Sequence, residues 1–262
     1  MANKYLGREG APFGEEVWAA LDAAMIEAAK SQLAGRRLLP LEGPYGLGLK
    51  AIFLPEEEVA SGVFVSKTLP LVFLVEEFVI PLRDIAAYER EGLALNLQPV
   101  AQAALAVACR EDEWIFHGAA GVPGLLNASG VQKMKLSDWS PVGAAMDDLI
   151  RAVTILDETG FHGPYALGLA PARYNLLFRR YPDGPMTELD HVRTLVTGGI
   201  VKVPILKDGG VLLAVGRQYA SIILGQDMHV GFIGPDDEGL EFTVSESLAL
   251  HLRVPASVCV LE

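Results

Sequence analysis

Residues 55–80 read PEEEVASGVFVSKTLPLVFLVEEFVI. The stretch is dense in β-branched and aromatic residues, with Val63, Phe64 and Val65 in a row and residues 70–80 running as a strand around Glu76 and Glu77. Such residues fit a pleated, half-buried surface, so residues 51–80 are predicted to form an extended ribbon. The flanking segments carry another period. Upstream, residues 12–33 place Val17, Leu21, Met25, Ala28 and Leu33 at helical steps, with Pro12 at the start and Gly35 past the end, and so predict one amphipathic helix. Residues 38–48 hold Pro40, Gly43, Pro44, Gly46 and Gly48, too many breakers for regular structure. Downstream, helices are predicted over residues 82–91, over 98–116 through Val100, Ala104, Val107, Ala108, Glu111, Trp114 and Ile115, and over 140–158 with Pro141 in the first turn.

The second half alternates short elements. Strands are predicted at residues 165–169, 200–204, 211–215, 221–224 and 228–232, with a long β segment at 240–255, and helices at 171–180 and 187–197. The class is α+β; no series of βαβ units and no repeat of fixed period is visible.

Composition narrows the function. The 262 residues hold 33 acidic and 21 basic side chains, a formal charge of −12, and no basic run longer than Arg36-Arg37 or Arg179-Arg180. A phosphate-binding surface needs a dense basic face, so nucleic-acid binding is not expected. With 51% hydrophobic and 21% charged residues the chain must fold. No apolar run reaches membrane-spanning length, and residues 1–10 lack the apolar core of a signal peptide, so a cytosolic protein is expected. A mean hydropathy of +0.31 is high for such an acidic chain and predicts a large subunit interface.

Chemistry is hard to find. His117, His162, His191, His229 and His251 are scattered with no pair at i, i+4, and neither a nucleophile elbow nor a phosphate loop occurs. Gly118, Gly121 and Gly124 follow a helix and read as a turn. Glu111, Asp112 and Glu113 are carboxylates in a row, read as a solvated face or an inter-subunit salt bridge. Cys109 and Cys259 have apolar neighbours and read as reduced thiols. An assembling or binding protein is favoured over an enzyme.

Six blocks, EGPYG (42–46), KTLPL (67–71), EDEWIFHG (111–118), GVPGLL (121–126), GFHGPY (160–165) and ILGQDMHVG (223–231), resemble in order the signatures of the family 1 encapsulin shell proteins, the linocin/bacteriocin-like family. The resemblance spans nearly the whole chain. It implies an HK97 phage capsid-like fold with a peripheral domain, an axial domain and an extended loop. On that pattern residues 1–50 are an interior-facing helix and connector, 51–80 the extended loop, 81–167 and 225–262 the peripheral domain, and 168–224 the axial domain. The implied function is a self-assembling, non-catalytic icosahedral shell of sixty copies or a multiple, enclosing a ferritin-like or peroxidase cargo through a C-terminal peptide. A phage or prophage capsid protein that packages nucleic acid is the alternative.

Carried onto this chain, the family's cargo surface falls on Val17, Leu21, Met25, Arg36, Asp227, Met228 and Val230. The five-fold pore loop falls on Tyr181, Pro182, Asp183, Gly184, Pro185, Met186, Thr187 and Glu188, where Asp183 or Glu188 is expected to form a ring of carboxylates that favours cations. Two positions depart from the pattern. Pro40 stands where relatives carry an acid, and Arg83 stands where some relatives have a flavin-side tryptophan, so no flavin, other cofactor or metal is expected.

Overall fold

The computed structural model describes residues 4–182 and 184–262. After two 3-10 turns at Lys4–Leu6 and Arg8–Gly10 come α1 (Glu15–Gln32), α2 (Gly35–Leu38), β1 (Leu41–Glu42), β2 (Ala51–Phe53), β3 (Glu57–Ala60), β4 (Val63–Val65), β5 (Thr68–Pro70) and β6 (Val72–Ile80). Then follow α3 (Leu82–Glu91), α4 (Gln98–His117), β7 (Gly118–Ala119), β8 (Val122–Pro123), β9 (Gln132–Met134), α5 (Ala144–Glu158), β10 (Tyr165–Leu169), α6 (Pro171–Leu176) and α7 (Glu188–Leu195). The chain closes on β11 (Ile200–Lys202), β12 (Gly210–Ala214), β13 (Ala220–Pro235), β14 (Leu240–Leu252) and β15 (Val258–Leu261).

Two compact units divide this chain. The first comprises Met1–Leu33, Gly43–Glu111 and Ile223–Ala249; the second comprises Ala34–Glu42, Asp112–Ile222 and Leu250–Glu262. The division departs from the expected ranges, because residues 112–167 and 250–262 fall in the same unit as 168–222.

In the first unit β6 pairs antiparallel with β14 from Leu240 opposite Ile80 to Leu248 opposite Val72. Aromatic rings fasten α1 to this sheet. Phe78 stacks on Phe242 at 5.2 Å, Trp18 meets Phe242 edge-on at 6.0 Å, and Phe13 lies 5.1 Å from Trp18. The contacts add to the area term that drives packing. The expected strands at 221–224 and 228–232 are one continuous β13. Gly225 reads as a breaker in sequence, yet a Cβ there would lie 2.4 Å from Ser247 Oγ and 2.9 Å from Leu71 Cδ2, so it permits close packing inside the strand.

The ribbon is present: β2 pairs antiparallel with β5 at its base, and β3 with β4 at its tip, turning at Gly62 with φ +74°. No residue from 51 to 73 is buried by its own chain. Phe53 is 83% exposed and Phe64 60%, and Val59, Val63 and Val65 are exposed with them.

The second unit is a five-stranded sheet in the order β11-β10-β12-β15-β9. β10 and β11 are parallel, joined by the crossover carrying α6 and α7, so a single βαβ unit is present, not a series of them. Its four elements are each legible in sequence, but the parallel pairing of the two strands is a tertiary fact. Leu149, Ala152, Val153 and Leu156 of α5 enter the core with Trp139, Leu167, Leu169 and Leu212. α5 starts at Ala144, four residues later than expected, behind Gly143 with φ +99°.

Two buried carboxylates shape this unit. Asp112, expected on a solvated face, is fully buried and accepts hydrogen bonds from the N–H groups of Ala34 (2.9 Å) and Gly35 (2.8 Å), which caps α2; Glu111 is fully buried too. Asp148 is 1% exposed and accepts from Ser137 N (2.7 Å), Ser137 Oγ (2.9 Å), Trp139 Nε1 (2.8 Å) and Arg151. Burial alone would raise its carboxyl, but the bonds from Trp139, Ser137 and Arg151 outweigh it and hold the group below the ordinary carboxylate range. Its stabilisation is therefore full above about pH 4, the unfolded value, and fades as pH falls through the lower folded value. Asp148→Asn is expected to cost about 2–3 kcal/mol at neutral pH, with the gap to wild type narrowing below about pH 4 in thermal melts. A gap that stays constant into acid would remove the carboxylate from this role.

Candidate functional site

Helix α1 begins after Gly14 with Glu15 and Glu16 in its first turn and Lys30 in its last, which suits the helix dipole. Its apolar stripe points inward. Val17 and Leu21 are completely buried, and Met25 is 4% exposed; on β13, Val230 is completely buried and Met228 is 8% exposed. These five are core residues of the first unit, a correction to their expected place on an open cargo surface. The stripe was legible in sequence, but what covers it was not. On the opposite side of α1, Ile26 is 44% exposed. Arg36 is half-buried and belongs to the second unit.

Asp227 and His229 alternate with the buried residues of β13 and are half-exposed. They line a recess of roughly 520 Å³ with Tyr5, Pro44, Gly46, Leu47, Gly48, Gly225 and Gln226. A second recess of roughly 260 Å³ shares Tyr5, Leu47 and Gln226 with it and adds Leu6, Phe73, Val75, Phe232, Ile233, Thr243 and Ser245. Both lie within the first unit. The loop after β1 is held by Tyr45 N donating to Leu224 O (3.0 Å) and Gly46 N donating to Gly225 O (2.5 Å). Gly43, at φ +108°, is required there, since a Cβ would come within 2.5 Å of Leu224 O.

Arg8 joins the pieces. Its guanidinium donates to Asp22 Oδ2 (2.8 Å) and Oδ1 (2.5 Å) on α1 and to Val230 O (2.9 Å) on β13, and it lies 4.5 Å from the Trp18 ring. Planar, multidentate and stackable, arginine suits all of these contacts at once. Sequence reasoning missed it, because nothing in the spacing of residues 1–10 announces partners fourteen and 222 positions away.

The expected pore loop lies in the second unit. Tyr181 N donates to Met186 O (3.2 Å), and the Tyr181 ring rests 4.7 Å from His191. Pro182, Gly184, Pro185 and Met186 are exposed, and Thr187 caps α7 through a reciprocal pair with Asp190. Asp183 lies outside the described residues. Glu188 contradicts its expected role: it is fully buried, its carboxylate bonded to Arg179 (2.8 Å) and to Gly143 N (2.8 Å), so it cannot line a passage. Glu188→Ala is expected to destabilise the chain by about 3–5 kcal/mol, because Arg179 loses its counter-ion, while Arg179→Met with Glu188→Leu recovers much of that loss. Melting temperatures of wild type and the two variants decide this, and a neutral Glu188→Ala would reopen the pore assignment.

Among the described residues no cluster of three His, Cys, Asp or Glu side chains could hold a metal ion, and no helix is long and apolar enough to cross a membrane. Cys259 is buried, which pushes its thiol up to about 11, and neither cysteine forms a disulfide.

The family profile described as "encapsulating protein for peroxidase" matches residues 3–249. The type 1 encapsulin shell protein EncA of Myxococcus xanthus is 31% identical over 98% of this chain and 96% of its own length. A virus-like particle from Pyrococcus furiosus, known by crystal structure, superposes with a TM-score of 0.77 at 22% identity over 94% of this chain and all of that one. The capsid of the myovirus XM1 follows at a TM-score of 0.63 and 12% identity, over 85% of this chain and 88% of that one. The fold is thus the HK97-type capsid fold.

Proposed function

Because the chain belongs to the encapsulin family of shell proteins, we propose that it closes into an icosahedral shell that encloses a cargo enzyme and performs no catalysis itself. The observation that carries this is the ribbon. A chain that folds with no residue from 51 to 73 buried, and with six large apolar side chains exposed among them, has made a surface for another copy to cover. The ribbon acts as the extended loop, and the formal charge of −12 suits an enzyme interior better than packaged nucleic acid.

Cargo docks through a C-terminal peptide at the recess beside Asp227, with α1 acting as the buttress that holds β13 in place. The family's description supports a peroxidase cargo. Electron microscopy of the purified protein tests the shell: uniform hollow particles are expected, and a discrete monomer, or particles whose absorbance is dominated by nucleic acid, would overturn the reading.

A further inference from the structure

We propose that His251 is an acid-sensitive latch on β1: protonating its ring disturbs the tie between Arg253 and Glu42, loosens β1 on β13, and through the ribbon that follows β1 in the chain opens the shell. Only that last step rests on the shell reading. The groups involved all belong to the second unit. Glu42 stands on β1, Ser221 on β13 and His251 near the end of β14, with Arg253 two residues beyond it. Arg253 Nη2 donates to Glu42 Oε1 (2.9 Å), and its Nη1 donates to Ser221 Oγ (2.7 Å) and Arg217 O (2.8 Å). Arg217 Nη2 donates in turn to Leu41 O (3.3 Å). β1 has only two residues, so its ladder to β13 is short and these arginine contacts add to its hold.

The ring of His251 has no place for a second proton. Its Nδ1 is buried and, among the described residues, has no hydrogen-bond partner. A neutral imidazole accommodates this by carrying its one proton on Nε2, which leaves Nδ1 as an unpaired acceptor. The charged ring carries a proton on both nitrogens, so Nδ1 becomes a buried, charged donor with no acceptor. Two charged groups face the ring: Arg253, on its own segment, opposes the cation, and Glu42, on β1, favours it. Burial first and then Arg253 outweigh Glu42, and the ring is held below the ordinary histidine value.

Glu42 stays ionised while His251 titrates. Burial alone would raise its carboxyl, but the bonds from Ser221 and Arg253 and the charges of Arg253 and Arg217 outweigh that and hold it below the ordinary carboxylate range. A protonated His251 is therefore a third cation beside one carboxylate, and it competes with Arg253 for Glu42. Because the folded value of His251 is the lower one, the unfolded chain takes up the proton first. The stability that the neutral ring contributes is full above about pH 6.5, the unfolded value, and is lost as pH falls from there through the folded value. Asp148 loses its contribution only below about pH 4, so the two effects are separated in pH.

Hydrogen exchange at the ring C2 position, read by mass spectrometry on the full chain, follows the titration of His251 in place. Amide exchange at Ile222, whose N–H donates to Pro40 O (2.9 Å) just before β1, reads the hold of β1 on β13. His251 is expected to titrate below about pH 6.5, and Ile222, corrected for the intrinsic pH dependence of exchange, to quicken at least about threefold over the same range. His251→Phe has no proton to gain, so it should keep Ile222 slow and move the acid opening of assembled particles, followed by light scattering and electron microscopy, about one pH unit lower. His251→Gln takes its place if the phenylalanine variant does not fold. A His251 that titrates at about pH 6.5 or above, or an Ile222 amide that ignores the proton, would overturn the latch. Wild-type and variant particles that open at the same pH would overturn the step from β1 to the shell. Protein that forms no particles would overturn the shell reading, while the two exchange measurements on it still decide the latch.

Discussion

Deletion of residues 56–62 is expected to abolish closed particles while leaving both compact units folded. The deleted residues are all exposed and include Val59 and the turn at Gly62, so the chain's own core loses nothing. What is lost is the far end of a ribbon carrying Phe53, Val59, Val63, Phe64 and Val65, each about half exposed or more. Covering such a side chain on a neighbour contributes roughly 1.5–3 kcal/mol when burial is complete. Several of them at every subunit contact outweigh the few kcal/mol that ordering the ribbon costs. A closed shell repeats that contact around the whole particle, so the effect reads as presence or absence. Sizing chromatography with electron microscopy should show soluble small oligomers or aggregate, and circular dichroism should match wild type. Uniform closed particles from the deletion would show that another surface drives assembly.

The ribbon could be read in advance because its evidence is local: β-branched and aromatic residues in alternation leave little choice of backbone. Helices α3 and α4 and strand β10 lie within one residue of the ranges expected from sequence. The errors share a cause, which is that identity of a side chain does not reveal its partners. Glu111, Asp112 and Glu188 look like solvent-facing acids, and all three are fully buried. For Asp112 and Glu188 the reason is tertiary, a helix start at Ala34 and Gly35 for one, Arg179 and Gly143 N for the other. Gly225 looks like a strand end, yet it sits inside β13 because Ser247 and Leu71 press against it. The candidate site was legible only at Asp227. Tyr5, Leu47 and Arg8 reach it from segments whose sequence shows no period at all.

Val17→Asp is expected to remove soluble shells altogether, and this separates a buttress from a binding surface. Val17 is completely buried on the face of α1 that also buries Leu21, Met25 and Ala29. An aspartate there must either stay ionised without a partner or take up a proton, and either course costs several kcal/mol against a typical total stability of about 5–15 kcal/mol. Ile26→Asp is the control on the same helix. Ile26 is 44% exposed, so the change should stay within about 0.5 kcal/mol and leave soluble, assembled protein. Expression, sizing chromatography and cargo content of the two variants give the answer. If Val17→Asp formed normal shells that had merely lost their cargo, α1 would have to turn its inner face outward on docking. The stripe of Val17, Leu21 and Met25 would then touch cargo after all, and the helix would be a moving part of the site, not its support.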